Sequence, residues 1–316
     1  GNPNHDLIRL ALSLASAARG SALPGVTTAR MLEHMMEGYL SALGAAGKRS
    51  KAALEKPDCV RVVMRRAMGR TWKHLARERL SDTEPTIPLG DRFWPLSKSE
   101  KIAVRKLFEQ EEVRRLITLF EPRADDARVE VLDAAYWMKG CSSLGRLRYA
   151  VLLGVTAKRD RVDHCLVDIK EAIPAAAPRA VGADMPKDNG RRVVAGARAL
   201  APALGERMVA SRFLDRSVFL RELMPQDLKL EIDQITHAEA VTAARYLAGV
   251  VGKAHARQMD EAIRNEFRRG LRAQESRRLN APPWLWSSVV ELAAAHEAAY
   301  LQHCREFALT NRARAA

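Results

Sequence analysis

VEVLDAAYWMKGCSSLGRLRYAVLLGV, residues 129–155, is the stretch that decides the fold. Its segments are short and rich in Val, Leu, Tyr and Trp, with glycines at Gly140, Gly145 and Gly154. β-Branched and aromatic residues suit a pleated, half-buried surface, and a Gly/Ser cluster between two such runs suits a turn. The stretch reads as two strands joined by Gly140-Cys141-Ser142-Ser143-Leu144-Gly145. Downstream, His164 to Ala172 alternates, so Cys165, Val167 and Ile169 face one way along a third strand. A Pro/Gly/Asp loop from Pro174 to Gly190 leads to a helix from Arg191 to about Ala203. Two further strands are expected near Met208 to Leu214 and Val218 to Leu223.

Helices flank this block on both sides. Leu7, Leu10, Leu14 and Ala18 recur at helical spacing within residues 5–20, and Pro24-Gly25 ends that run. A second helix is expected from Thr28 to Leu43 and a third from Asp58 to Leu80. Residues 81–96 hold Pro85, Pro88, Gly90 and Pro95 and read as a linker. Ser97 or Ser99 then caps a helix through Phe108, and Glu111 to Phe120 reads as another. From His237 onward the pattern is helical, broken at Pro282-Pro283, and no internal repeat is present. The fold class is therefore α+β. Three segments are expected: 1–122 helical with the linker, 123–225 carrying a five-stranded antiparallel sheet with one helix, and 226–316 helical.

The chain has 316 residues, 47% hydrophobic and 28% charged, which is globular rather than disordered composition. Its net charge of +14 creates a positive field that attracts nucleotide phosphates, nucleic acid or an anionic surface. An arginine-rich composition with a solvated basic surface explains the same number. The four cysteines, Cys59, Cys141, Cys165 and Cys304, form no CxxC pair, so neither a zinc site nor a disulfide framework is indicated. Reduced thiols fit a cytoplasmic protein. No apolar run has bilayer-spanning length, so no membrane partner is expected. Gly1-Asn2-Pro3-Asn4 is not a signal peptide and lacks an initiator Met, as in a processed, tagged or incomplete chain.

Strand, turn, strand, strand, helix, strand, strand is the alternation of the small lobe of a protein-kinase-like fold, and the flanking helices would form its large lobe. In that frame Gly140 and Gly145 let backbone N–H groups approach phosphate oxygens, and Ser142 and Ser143 add hydroxyl donors. An ordinary hairpin turn explains the same glycines, and no Lys-Ser/Thr pair follows to make a Walker loop. Lys170, in Val167-Asp168-Ile169-Lys170-Glu171-Ala172, stands where a kinase lysine meets nucleotide phosphates. The Leu220-Arg221-Glu222-Leu223-Met224 strand end would become the hinge that meets an adenine; a plain strand-to-loop junction is the bland alternative. His255, in Ala254-His255-Ala256-Arg257, ends a helix and reads first as a packed or capping residue. Arg66, Arg70, Lys73 and Arg77 form a basic helical stripe, which reads as a solvated face before it reads as a nucleic-acid contact. His296, Glu297 and His303 lack the spacing of a zinc hydrolase, so no metal ligands are assigned.

Six motifs in order carry a resemblance to one family. They are Pro3-Asn4-His5-Asp6-Leu7-Ile8-Arg9-Leu10-Ala11-Leu12-Ser13, Arg92-Phe93-Trp94-Pro95-Leu96, the Gly140 to Gly145 turn, Val167 to Ala172, Arg192-Val193-Val194 and Ala254-His255-Ala256-Arg257. Together they resemble the domain-of-unknown-function 2252 family over nearly the whole chain. The resemblance implies a kinase-like fold related to aminoglycoside phosphotransferases and circularly permuted relative to them. It implies ATP and Mg²⁺ as cofactors and an acceptor of unknown identity. It places the catalytic loop and the metal-binding aspartate just before Pro3, outside this sequence, and gives Asp6 a supporting role rather than a catalytic one. Two positions depart from the family pattern. Ser142 replaces a middle glycine of the turn, and Ala195 stands where a helix glutamate would pair with the lysine; Glu206 is a candidate substitute. The leading expectation is an ATP-binding phosphotransferase. A non-catalytic pseudokinase-type module and a basic nucleic-acid-binding helical protein are the alternatives.

Overall fold

Side-chain periodicity explains the helices that the structure forms. The computed structural model describes residues 2–20, 25–44, 56–68, 86–118, 127–138, 145–156, 162–179, 181–201, 204, 206–223, 236–274 and 280–315, with side chains described through residue 308. The chain divides into two compact units, Gly1–Val63 with Lys229–Ala316, and Met64–Leu228.

In the first unit, α1 (Pro3–Gly20) buries Leu7, Ala11, Leu14, Ala15 and Ala18, a 3–4 spacing that puts all five on one face. Helix α2 (Gly25–Gly44) buries Met31, Leu32, Met35, Met36, Tyr39, Leu40 and Leu43, and α3 (Asp58–Met68) contains the boundary between the two units, at Val63. Helix α7 (His237–Ala256) starts with a capping box in which Thr236 and Glu239 satisfy each other's backbone N–H groups. Two glycines let α2 and α7 approach closely. A Cβ on Gly38 would lie 2.1 Å from the Arg245 carbonyl oxygen, and one on Gly252 would lie 2.8 Å from that of Tyr39. The helical run expected from His237 to Pro282 is interrupted after Ala256, because the Asp260 side chain accepts from Ile263 N and starts α8 (Glu261–Ala273). Helix α9 (Pro283–Ala315) opens on a proline, whose missing N–H costs nothing in the first turn. Among the described helices none is long and apolar enough to cross a membrane.

The second unit is built on an antiparallel sheet. Its strands are β1 (Phe93–Pro95), β2 (Arg128–Trp137), β3 (Arg148–Thr156), β4 (Val162–Glu171), β5 (Met208–Phe213) and β6 (Arg216–Leu223), in the order β1-β2-β3-β4-β6-β5. Helices α4 (Lys98–Glu109) and α5 (Glu111–Thr118) lie between β1 and β2, and α6 (Asn189–Leu200) between β4 and β5. Six strands replace the five expected, because part of the proline-rich linker pairs as an edge. Phe93, Trp94 and Pro95 stand opposite Trp137, Tyr136 and Ala135. An edge strand tolerates Pro95, and two stacked aromatic pairs, Phe93–Trp137 and Trp94–Tyr136, hold it there.

The two sheet faces have separate cores. Cys165, Val167 and Ile169 do share a face. With Tyr149, Val151, Leu153, Val155, Val218 and Leu220 they pack on Val104, Leu107 and Phe108 of α4 and Val113, Leu116 and Ile117 of α5. Helix α4 is capped by Ser97, whose side chain accepts from Glu100 N while Glu100 reaches back to Ser97 N. The opposite face carries Ile87, Phe93, Ala135, Trp137, Ala150, Leu152, Leu166 and Leu223. The charged cluster described next shares that second face.

Candidate functional site

Strand register brings charge and aromatic rings together on the second face. Arg148 pairs with Lys170 across β3 and β4, and Lys170 pairs with Phe219 across β4 and β6. Asp168, two residues before Lys170, points to the same side. Arg148 Nε donates to Asp168 Oδ1 at 3.0 Å and its terminal nitrogen to Oδ2 at 2.7 Å, a two-pronged ion pair with side chains 6% and 2% exposed. The guanidinium also lies 4.4 Å from the Trp137 ring centroid, where the negative face of the indole favours it. Lys170 Nζ is 3.4 Å from Asp168 Oδ2 and 5.9 Å from the Phe219 ring, with its side chain 34% exposed. One carboxylate thus serves two cations, one of them sealed in the sheet and the other reaching solvent.

The end of the turn is tied to this cluster through Glu171. Its carboxylate accepts from Leu147 N at 2.9 Å, its own N–H donates to the Leu147 carbonyl, and Arg216 pairs with it at 2.7 Å. Burial pushes the Glu171 carboxyl up, but the Leu147 N–H and the Arg216 guanidinium outweigh it, so the group stays below the ordinary glutamate value. Two residues before Leu147, Gly145 has φ +70°, a left-handed conformation that glycine adopts without strain. Gly140, Ser142, Ser143 and Met224 lie outside the described residues. Glu222 is 4% exposed on β6, opposite Val167. Ala195 and Glu206 both line a cavity of about 390 Å³ beside α6, together with Arg115, Arg191 and Arg198. Among the described residues the ion pair of Lys170 is with Asp168.

Sequence reasoning passed over Arg148 and Asp168. Their signal was present: Arg148 opens the apolar run Tyr149-Ala150-Val151-Leu152, and Asp168 stands between apolar Val167 and Ile169. Charges buried in strands are paired, so opposite signs on neighbouring strands mark a partnership.

A second constellation lies in the helical unit. His255 at the end of α7 is nearly buried, and Tyr39 is fully so. Tyr39 Oη and His255 Nδ1 are 2.8 Å apart, and His255 Nε2 lies 3.2 Å from Asp6 Oδ2. With Nε2 donating to the carboxylate, Nδ1 accepts from the phenol, which fixes the tautomer. Burial, reinforced by the Asp6 charge, raises the Tyr39 pKa well above that of free tyrosine, so the phenol keeps its proton. The contact joins the first turn of α1 to the last turn of α7, 249 residues apart in sequence. Of the basic stripe, only Arg66 falls within the described residues. Among the described residues no three His, Cys, Asp or Glu side chains are grouped to hold a metal ion.

The model of a family described as uncharacterized proteins conserved in bacteria (DUF2252) matches residues 1–306, and the chain belongs to that family. Comparisons with curated proteins and with solved structures found no match.

Proposed function

We propose that the sheet unit is the nucleotide-binding half of a kinase-like phosphotransferase of unknown acceptor, with Lys170 as its phosphate contact. The observation that carries this reading is the Lys170 ammonium, fixed at 3.4 Å from a buried carboxylate yet one-third exposed. Asp168, itself locked by Arg148, would hold the lysine in one orientation, and phosphate oxygens would meet a cation already in place. Phe219 and Trp137 add aromatic surface beside the two cations. Glu171 holds Leu147, two residues past Gly145, next to that lysine, and backbone N–H groups of the Gly140 to Gly145 segment would cover the phosphates. ATP supplies the transferable phosphoryl group; these residues bind and orient it. The described residues offer no carboxylate cluster for Mg²⁺, and the reading assigns them neither metal ligands nor a general base.

Two features support the permuted kinase-like order. Helix α6 falls between β4 and β5, where the small lobe of that fold carries its single helix. The Asp6–His255 contact sets the start of α1 beside the end of α7, which is the junction a circular permutation would require. Asp6 is in that case a brace and not a catalytic group.

A non-catalytic pseudokinase-type module is the second reading. It is favoured by Ala195 on α6 and by the pairing of Lys170 with a carboxylate of its own strand instead of one from a helix. An ordered kinase site uses a lysine–glutamate pair between strand and helix.

Calorimetric titration of ATP with Mg²⁺, beside Lys170→Ala, tests the shared premise. Saturable binding that weakens at least about tenfold in the variant supports it, a difference of roughly 1.4 kcal/mol. No binding by either protein sinks both readings. Release of ADP by the binding-competent protein then favours the enzyme, and binding without turnover favours the module.

A further inference from the structure

A cavity of about 760 Å³ opens in the helical unit, lined from α2 by Glu33, His34, Glu37 and Ser41 and from α8 by Arg268 and Arg272. We propose that it binds a small polar oxyanion, a phosphate ester or carboxylate, with Arg268 and Arg272 as the anion clamp.

The charges in the cavity are unevenly satisfied. Its carboxylates are engaged: Glu33 Oε1 accepts from Asn280 N at 3.2 Å, and Glu37 pairs with Arg245 at 2.9 Å and His34 at 3.4 Å. The arginines are not drawn into those pairs. Arg268 Nε is buried and, among the described residues, has no hydrogen-bond acceptor. A buried donor left unmade costs about 1–3 kcal/mol, and such a group in a native fold calls for a water or ion that completes it. The Arg268 guanidinium is packed against Gly44, where an added Cβ would come within 2.8 Å of its Cζ. Its position near the end of α2 suits the helix dipole, but a dipole supplies no acceptor for Nε–H. Arg272 stands one turn further along α8, so the two side chains start about 5–6 Å apart on one face. Two guanidinium forks at that spacing match an oxyanion presenting several oxygens.

The size and polarity of the cavity define the rest of the ligand. Its volume falls within the range of about 300–1,000 Å³ common for small-molecule sites. Ser41, His34 and the remaining oxygen of Glu33 offer hydrogen bonds to hydroxyl or amino groups, so the ligand is hydrophilic.

The test is calorimetric titration of inorganic phosphate, and separately of acetate, into the protein and its Arg272→Gln and Arg268→Gln variants, with ionic strength held constant by sodium chloride. Saturable one-to-one binding is expected, weakened at least about tenfold by each substitution. Phosphate binding without acetate identifies a phosphate-selective site, acetate without phosphate a carboxylate site, and both a general oxyanion site. Phosphate binding lost in Lys170→Ala but kept in Arg272→Gln belongs to the nucleotide site and overturns this proposal, whereas binding lost in Arg272→Gln supports it, so this proposal and the nucleotide reading fail separately. Arg272 is exposed, so its replacement leaves the fold intact and decides the matter even if Arg268→Gln unfolds. No saturable binding of either anion, or an Arg272→Gln protein that binds as tightly as the parent, overturns the proposal.

Discussion

Replacing Asp168 with alanine should destabilise the sheet unit by about 3–5 kcal/mol, the usual cost of stranding one partner of a buried ion pair. Asp168 accepts both Arg148 hydrogen bonds, at 3.0 and 2.7 Å. Without it, a guanidinium whose side chain is only 6% exposed keeps the Trp137 face and loses its carboxylate. The aromatic contact is worth about 0.5–2 kcal/mol and cannot replace a charge-assisted pair. Lys170 also loses its partner, but its ammonium is already partly solvated, so that share is small. The complementary substitution sets the scale. Arg148→Met with Asp168→Leu removes both desolvation penalties together, and the double variant should match or exceed the parent in stability. The assay is urea unfolding followed by hydrogen exchange of the β3 and β4 amides, which reports this unit alone. At a slope of about 2 kcal/mol/M, the single substitution lowers the midpoint by about 1.5–2.5 M. An Asp168→Ala midpoint within about 0.3 M of the parent, or a double variant no better than the single one, would refute the reasoning.

Two further outcomes follow from the packing and titration of particular groups. Gly38→Ala gains helix propensity of about 1 kcal/mol, but its Cβ would lie 2.1 Å from a backbone oxygen that no rotamer change can move. The clash should win, with a net loss of about 1–3 kcal/mol in thermal unfolding; Gly196→Ala on α6, with nothing within 4 Å, should instead raise the melting temperature. Glu100 is pushed up by burial and pulled further down by the Tyr149 and Ser97 hydroxyls and the Ser97 N–H, so its folded pKa lies below the unfolded value. Its contribution is therefore complete above the unfolded pKa of about 4.3 and disappears as pH falls through the folded value. Glu100→Gln should be less stable at neutral pH and meet the parent curve in acid; parallel curves of urea midpoint against pH would contradict the assignment.

Helix positions were legible because a 3–4 apolar spacing is a local property. The cap at Ser97 was legible for the same reason, since Glu100 completes a box three residues on. The strands from Val129 to Leu223 were also found within a few residues. The edge strand at Phe93–Pro95 was hidden because Pro85, Pro88 and its own Pro95 read as linker. Only the partner strand, with Trp137 and Tyr136 to stack on, makes three residues pair. Such a contact has no signature within its own window.

The charged cluster was half legible for a related reason. Lys170 stands at a strand end, where position alone suggests a role. Arg148 and Asp168 acquire theirs only when β3 and β4 pair antiparallel with Arg148 opposite Lys170. A shift of one residue in β4 would turn Asp168 and Lys170 together to the α4–α5 face, in place of Val167 and Ile169, and separate Asp168 from Arg148. The apolar alternation of β4 therefore fixes more than a core. By placing Cys165, Val167 and Ile169 under the helices it leaves Asp168 and Lys170 together on the other face. The orientation of the lysine thus follows from the packing of its neighbours, and the burial of Asp168 is what makes that orientation rigid.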